Sequence, residues 1–379
     1  HQGKIRRSHK GNSQFRHDQT PSILMTKLIC AQFGAMIAKL QAACHMPPSQ
    51  PRLSTDMPYN IDEILHADWS IHHRGRWKAH ARRQGDGWLI DDISPVGNIP
   101  PFINGLHHHA RDKTIWLGLD FPIGLCRHWY QAAHIDSFDH VLHWLKSPAA
   151  DSFFNVCSHP DQICPHRPFY PARAGAKGTV KRNHLSAGLN VANFNQLHRQ
   201  CERATSNRPA AATPFWTLGA NQVGKGMLHG WQNLVFPGHA RGFHLWPFDG
   251  DLAALSQQPG VTLIETYPAE IYGWLKLYDM PLPSGRFAKS RQQSRHETLM
   301  VLLPRLAHLN IDLSPVVRHH IARGIAPDHG KDDAFDALIG VIGLILIATQ
   351  KRAENLPESS IIRRQEGWII GQRETDVMT

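Results

Sequence analysis

The sequence predicts an α/β protein with a mixed sheet, three antiparallel strands followed by parallel ones, flanked by helices and carrying a largely helical insertion. Three observations predict it. Short apolar runs at 64–68, 114–120 and 261–265 each end in an acid, at Asp68, Asp120 and Glu265. Strands apolar on both faces belong inside a covered sheet. Trp77, Ala79 and Ala81 alternate with Arg76, Lys78, His80 and Arg82, the period of a half-buried strand. Ala337 to Ala348 has almost no polar residue, so the helix it forms is buried on all sides.

In chain order, residues 1–57 read as a disordered extension or as translated sequence upstream of a start at Met57. They begin with His, are basic and polar, and contain Pro-Pro-Ser-Gln-Pro at 47–51, with a short helix at 23–43. The body, 58–379, opens with a strand at about 62–69. Gly85-Asp86-Gly87 supplies a tight turn between the alternating strand and a third strand, Trp88 to Ile93. A helix around 102–111 leads to the strand that ends at Asp120, where Pro122 and Gly124 stop it. From about 125 to 260 the pattern loosens into an insertion, with helical pieces at 134–147 and 183–204, loops at 148–182, and no clear strand. The strand at 261–265 precedes helices at 268–278, at 290–309 with a kink or break at Pro304, and at 314–323. The helix opened by Asp333 and Asp336 closes the core, and Gly367 to Gly371 reads as a last strand-like piece.

The formal net charge is +10. Eight Lys or Arg against two Asp place +6 of it in residues 1–57, which leaves +4 for the body. Charge therefore permits nucleic-acid binding without arguing for it. Six scattered cysteines in so long a chain are no disulfide scaffold and suggest a reducing, cytoplasmic setting. The apolar part of the closing helix is too short to span a bilayer, so no membrane association is expected.

Asp333 and Asp336 lie three residues apart, on one face of a helix at its positive end. With the strand-end acids they form a candidate site for Mg²⁺ or Mn²⁺. Each acid alone is more often a cap or a turn residue.

The order of elements resembles the ribonuclease H-like fold in its Holliday-junction-resolvase-like version, whose last helix supplies two carboxylates three apart. The strings LGLDFPIGL, WTLGANQVGKG, LWPFDG, ETYPAEIYGWL, DDAFDALIG and EGWIIGQ resemble more closely a bacterial family of uncharacterised proteins predicted to be ribonuclease H-fold nucleases, over about residues 62–372. The resemblance implies a metal-dependent nuclease acting on nucleic acid or a nucleotide phosphate by two-metal phosphodiester hydrolysis, with ions about 4 Å apart. Asp68 would be the ligand shared by both ions, Asp120 and Glu265 would flank it, and Asp336 would complete the shell. Asp333 would join them or cap the helix, with Asp332 a solvated neighbour and Lys331 a local counter-charge.

Gly219 to Gly226 satisfies G-x-x-x-x-G-K, but Gly226 stands where a P-loop needs Ser or Thr for its metal. A turn into a helix at 227–235 is the plain reading. Gly224 and Lys225 are alternatively candidates to hold a substrate phosphate, and a phosphotransferase with Glu265 as its metal-side acid is a rival function. Tyr267 is a core residue, or a base-stacking one if it reaches the cleft. Cys157-x-His159 and Cys164-x-His166 have gaps shorter than usual zinc spacing, and His107 to His109 read as surface. A non-catalytic nucleic-acid or regulatory binding module that kept the fold is the remaining alternative.

Overall fold

The apolar runs become the inner strands of one mixed sheet. The computed structural model describes residues 59–176, 178–218, 223–325 and 331–377, and the expected extension at 1–57 lies outside them. The strands are β1 (Glu63–Asp68), β2 (Trp77–Gln84), β3 (Gly87–Pro95), β4 (Thr114–Leu119), β5 (His244–Leu245), β6 (Gly260–Glu265) and β7 (Ile311–Leu313). Their spatial order is β5-β6-β4-β1-β2-β3-β7. β1 to β3 pair antiparallel, whereas β4, β6, β5 and β7 join in parallel. β1 and β4 are buried along their whole length, as central strands apolar on both faces should be. The class expected from sequence, α/β with an antiparallel-then-parallel sheet flanked by helices, is what forms.

Each face carries its own core. Leu65 and Ala67 of β1, Ile115 and Leu117 of β4 and Val261 and Leu263 of β6 face one side. That side is covered by α1 (Ile99–His109) and by the segment between β4 and β6, which includes α2 (Arg127–Ala133), α3 (Phe138–Trp144), α4 (Asn183–Gly188) and α5 (Val223–Gly230). Ile64, Trp116 and Ile264 point to the opposite face. There α6 (Pro268–Trp274), α7 (Gln292–His308), α8 (Pro315–Ala322) and α9 (Lys331–Ala348) complete the second layer, with α9 lying across β1 and β2. Among the described residues no helix is long and apolar enough to cross a membrane.

Four local expectations change. The insertion does contribute a strand, the two-residue β5, at the edge of the sheet. β7 forms from Ile311–Leu313, a piece too short for periodicity to reveal. α7 runs unbroken through Pro304. Residues 367–371 are buried but make no strand; Gly367 and Gly371 have positive φ, which breaks extended pairing.

α9 sits unusually close to the sheet, and two glycines make room for it. A Cβ on Gly118 of β4 would fall 2.7 Å from Leu344 and 2.8 Å from the His66 ring, and one on Gly340 of α9 would fall 2.2 Å from that ring. His66 fills the space between them, fully buried, with Nε2 bonded to the Thr266 hydroxyl at 2.7 Å. Burial depresses its pKa to about 3, so the ring is neutral. Gly340→Ala should overpack this contact and destabilise the fold by about 2 kcal/mol; chemical denaturation with an unchanged midpoint would contradict the close approach.

Candidate active site

Strand parity decides which of the acidic strand ends meet. β1 and β4 are aligned with Ala67 opposite Leu119, so Asp68 and Asp120 follow side by side. Both continue the parity of His66 and Gly118 and therefore emerge on the α9 face. The Trp69 amide donates to Asp120 Oδ1 at 2.7 Å and holds that carboxylate in place. The first turns of α9 bring Asp333 and Asp336 over the same point, and all four carboxylates line one cleft of about 750 Å³. A Cβ on Gly75 would stand 3.2 Å from Asp333 Oδ2, so the β1–β2 connection passes directly against the cluster.

Asp336, 4 % exposed, accepts hydrogen bonds from the Tyr272 hydroxyl and the half-buried Lys289 ammonium. Lys289 therefore supplies one positive charge to four carboxylates. Burial, then the charges of Asp120, Asp336 and Asp333, raise Asp68 well above the usual carboxylate range. Burial also lifts Asp120 to about 7, against the hydrogen bonds that Asp68 and the Trp69 amide give it. Asp333 rises to about 6 through burial and the charges of Asp332 and Asp336. Asp336 rises through burial too, opposed by Lys289 and Tyr272. Lys289 itself is lifted: desolvation disfavours its charge, but Asp336 and Asp68 outweigh it. The cluster holds more negative charge than its surroundings balance.

Glu265 does not join it. Leu119 stands opposite Glu265, and Leu119 faces the insertion, so the Glu265 side chain emerges on that face too. Its carboxylate is held by Arg199 Nη1 at 2.7 Å and Nη2 at 2.5 Å and by the Ile123 amide at 2.7 Å. Arg199 is fully buried and also bonds Glu202 at 2.8 Å. The expected role of Glu265 as a catalytic acid and metal ligand is thus corrected to that of an anchor between the insertion and the sheet. The residue in phase with Asp68 and Asp120 on this strand line is Thr266.

The near-P-loop resolves in part, since residues 219–222 lie outside the described residues. Lys225, on the first turn of α5, lines the cleft with Gly226. Gly224 does not: it is buried, with the Pro214 carbonyl 2.3 Å from where a Cβ would sit. Its expected phosphate-holding role is corrected to one of packing. Tyr267 lines the cleft, its ring under the Arg208 guanidinium at 4.8 Å. Cys157 is buried, with Sγ on the Arg167 carbonyl at 3.3 Å, while Cys164 is exposed. Among the described residues no group of three or more His, Cys, Asp or Glu side chains is arranged to hold a metal ion.

No family model, curated protein or solved structure matches this chain. The geometry and charge of the cleft therefore carry its interpretation. Sequence reasoning missed Lys289 and Tyr272. Lys289 lies in an irregular stretch before α7 with no periodic signal, and Tyr272 reads as one more apolar residue of a short helix.

Two outcomes follow from these contacts. Asp120 and Asp333 keep protons in the folded chain that the unfolded chain has already lost, so the metal-free protein should lose stability as pH rises from about 4 to about 7. Thermal melts in EDTA should show that decline, and Asp120→Asn should remove part of it; an identical pH dependence in the variant would refute the crowding. Glu265→Gln should cost about 3 kcal/mol, because Arg199 loses a buried partner, yet leave Mn²⁺ affinity unchanged by calorimetry.

Proposed function

We propose that the chain is a divalent-metal-dependent nuclease of ribonuclease H-like fold that hydrolyses phosphodiester bonds at the cleft of Asp68, Asp120, Asp333 and Asp336. The observation that carries this reading is the convergence of four carboxylates, from two central strand ends and the opening of the closing helix, with a single ammonium to balance them. An antiparallel-then-parallel sheet with an acid ending its central strand supports the fold assignment.

An all-oxygen donor set suits a hard cation such as Mg²⁺ or Mn²⁺. Asp68, Asp120 and Asp333 would hold it only after closing in from the arrangement described, in which no three acids are set around an ion. Burial and mutual repulsion raise their pKa values, and a cation would relieve both. Asp336 is committed to Lys289 and Tyr272, so it joins the set only when Lys289 lets go. A bound cation would supply charge neutralisation at the phosphate and a more acidic water. The chain's own residues do the rest. The Trp69 amide keeps Asp120 aimed into the cleft, Tyr272 and Lys289 orient Asp336, and Lys225 meets phosphate charge from the α5 wall. Tyr267, Tyr278 and Phe287 line the same cleft, and the exposed Tyr278 would be the ring available for a base to stack on.

Lys289 favours a second reading, in which its ammonium is the site's resident cation and the chain is a non-catalytic nucleic-acid or regulatory module. That reading expects Mn²⁺ neither to bind nor to raise the melting temperature. The phosphotransferase alternative loses ground, because Gly224 is packed against backbone carbonyls and Gly226 brings no hydroxyl to the cleft.

The decisive assay is Mn²⁺ or Mg²⁺-dependent cleavage of DNA, RNA, hybrid and mononucleotide substrates. Asp68→Asn should lower the rate by a factor of about 10³ or more, the scale on which losing an essential charge-stabilising group acts, while the melting temperature in EDTA holds or rises. Equal cleavage by wild type and variant would remove the mechanism.

A further inference from the structure

Beside the acidic cleft lies a second hollow of opposite character. It has a volume of about 480 Å³, and its walls include Arg76, His72, His73, Asn98 and His229 but no Asp or Glu. Ile71 and His72 line both hollows, so the two adjoin along the β1–β2 connection.

Arg76 is its most unusual member. The side chain is 7 % exposed, and its Nε has no hydrogen-bond partner. Burial lowers its pKa, and among the described residues no acid pairs with it. It lies over the Trp69 ring at 5.6 Å, with Nη1 at 3.2 Å from His229 Nε2. A buried arginine without a carboxylate is costly, and proteins keep one where an anion completes it.

Hydrogen-bond accounting around His229 gives a second, independent sign. The Trp69 indole Nε1 donates to His229 Nδ1 at 3.1 Å. A neutral imidazole has a single acceptor nitrogen, so Nε2 then carries the hydrogen and faces the Arg76 donor. Burial and the Arg76 charge depress the His229 pKa, which keeps the ring neutral. Nε2–H and Nη1–H thus point at one another with no acceptor between them. The oxygens of an anion in the hollow would accept from both. The N-terminus of α1 opens onto the same space; Pro100 and Pro101 bring no N–H there, so the eleven-residue helix contributes the positive end of its dipole rather than a row of amide donors.

We propose that this hollow is a phosphate-binding subsite, in which Arg76 and His229 grip a backbone phosphate of a nucleic-acid strand whose neighbouring phosphodiester enters the acidic cleft. The choice of a strand rests on the nuclease reading above; the anion site itself does not. A strand threading both hollows would place one phosphate on fixed donors and another among the carboxylates. That arrangement sets the register of the strand without any contact to base edges.

The test uses the full chain in EDTA, so that neither metal binding nor hydrolysis enters. Inorganic phosphate is titrated by calorimetry, then a short single-stranded oligonucleotide and a nucleoside monophosphate. Wild type should bind phosphate, and Arg76→Met should weaken it by a factor of about ten or more, the worth of a charge-assisted pair. Because Arg76 is buried, a second variant guards against misfolding. Asn98 is exposed, and Asn98→Asp puts a negative charge at the rim, improves the helix cap and should still weaken phosphate binding. Asp68→Asn should not weaken it. An oligonucleotide that binds more tightly than the monophosphate, with the difference lost in Arg76→Met, identifies a strand as the source; equal affinities identify a free nucleotide phosphate. No phosphate binding by wild type, or wild-type affinity in both Arg76→Met and Asn98→Asp, overturns the subsite. Arg76-dependent binding in a protein that cleaves nothing would leave the subsite standing and remove the nuclease.

Discussion

The acidic cleft depends on how closely α9 can lie against the sheet. Asp333 and Asp336 belong to the helix, Asp68 and Asp120 to the strands, and side chains this short meet only if the two layers nearly touch. Gly118 and Gly340 remove the Cβ atoms that would hold them apart, and the flat, neutral ring of His66 fills the gap that remains. The ring's Nδ1 has no partner, a cost accepted at the point of closest approach. An apolar side chain in its place would leave the Thr266 hydroxyl unpaired, so ring shape and hydrogen bonding are both used. The stability of the core and the assembly of the site are one packing problem here.

Charge is sorted by the two faces of the sheet. On the insertion side, Glu265, Glu202 and Glu366 surround Arg199 and nearby amides: Arg127 and Gln200 donate to Glu366 at 2.9 Å and 2.8 Å. Burial lifts Glu202 to about 7 against the pull of Arg199, and all three carboxylates are buried, so that network is closed to solvent. Glu270 is likewise held by Arg208 at 3.1 Å and by Thr205 at 3.0 Å. The four acids of the cleft, by contrast, have only Lys289 and hydrogen-bond donors, and they open to solvent. A carboxylate satisfied by a buried arginine has no remaining demand for a cation, whereas one crowded by its own kind does. That difference separates the structural acids of this chain from the candidate functional ones.

Much of this was legible in the residues, and the failures have a common cause. Asp68 and Asp120 could be read as strand ends because their strands are continuous apolar runs. Asp333 and Asp336 could be read as a pair because three residues is nearly one helical turn. Glu265 looked the same as the other two strand-end acids, but a strand has two faces and a carboxylate one step out of phase leaves on the wrong one. Phase across strands is set by register, with Leu119 opposite Glu265, and no local pattern records it. Gly224 failed for a related reason: a glycine that admits a phosphate and one that admits the Pro214 carbonyl are identical in sequence. Lys289 and Arg76 act through partners 47 and 153 residues away, a distance over which periodicity carries no information.

The connection between β1 and β2 joins the two halves of the site. Trp69 follows Asp68 directly; its amide fixes Asp120, its indole N–H takes up the lone pair of His229, and its ring lies beneath Arg76. One residue thus ties the aim of a carboxylate in the acidic cleft to the donor surplus in the adjacent hollow. An anion bound by Arg76 and His229 would contact the same imidazole that the Trp69 indole holds. Trp69 is therefore the residue at which the proposed phosphate subsite and the acidic cleft meet.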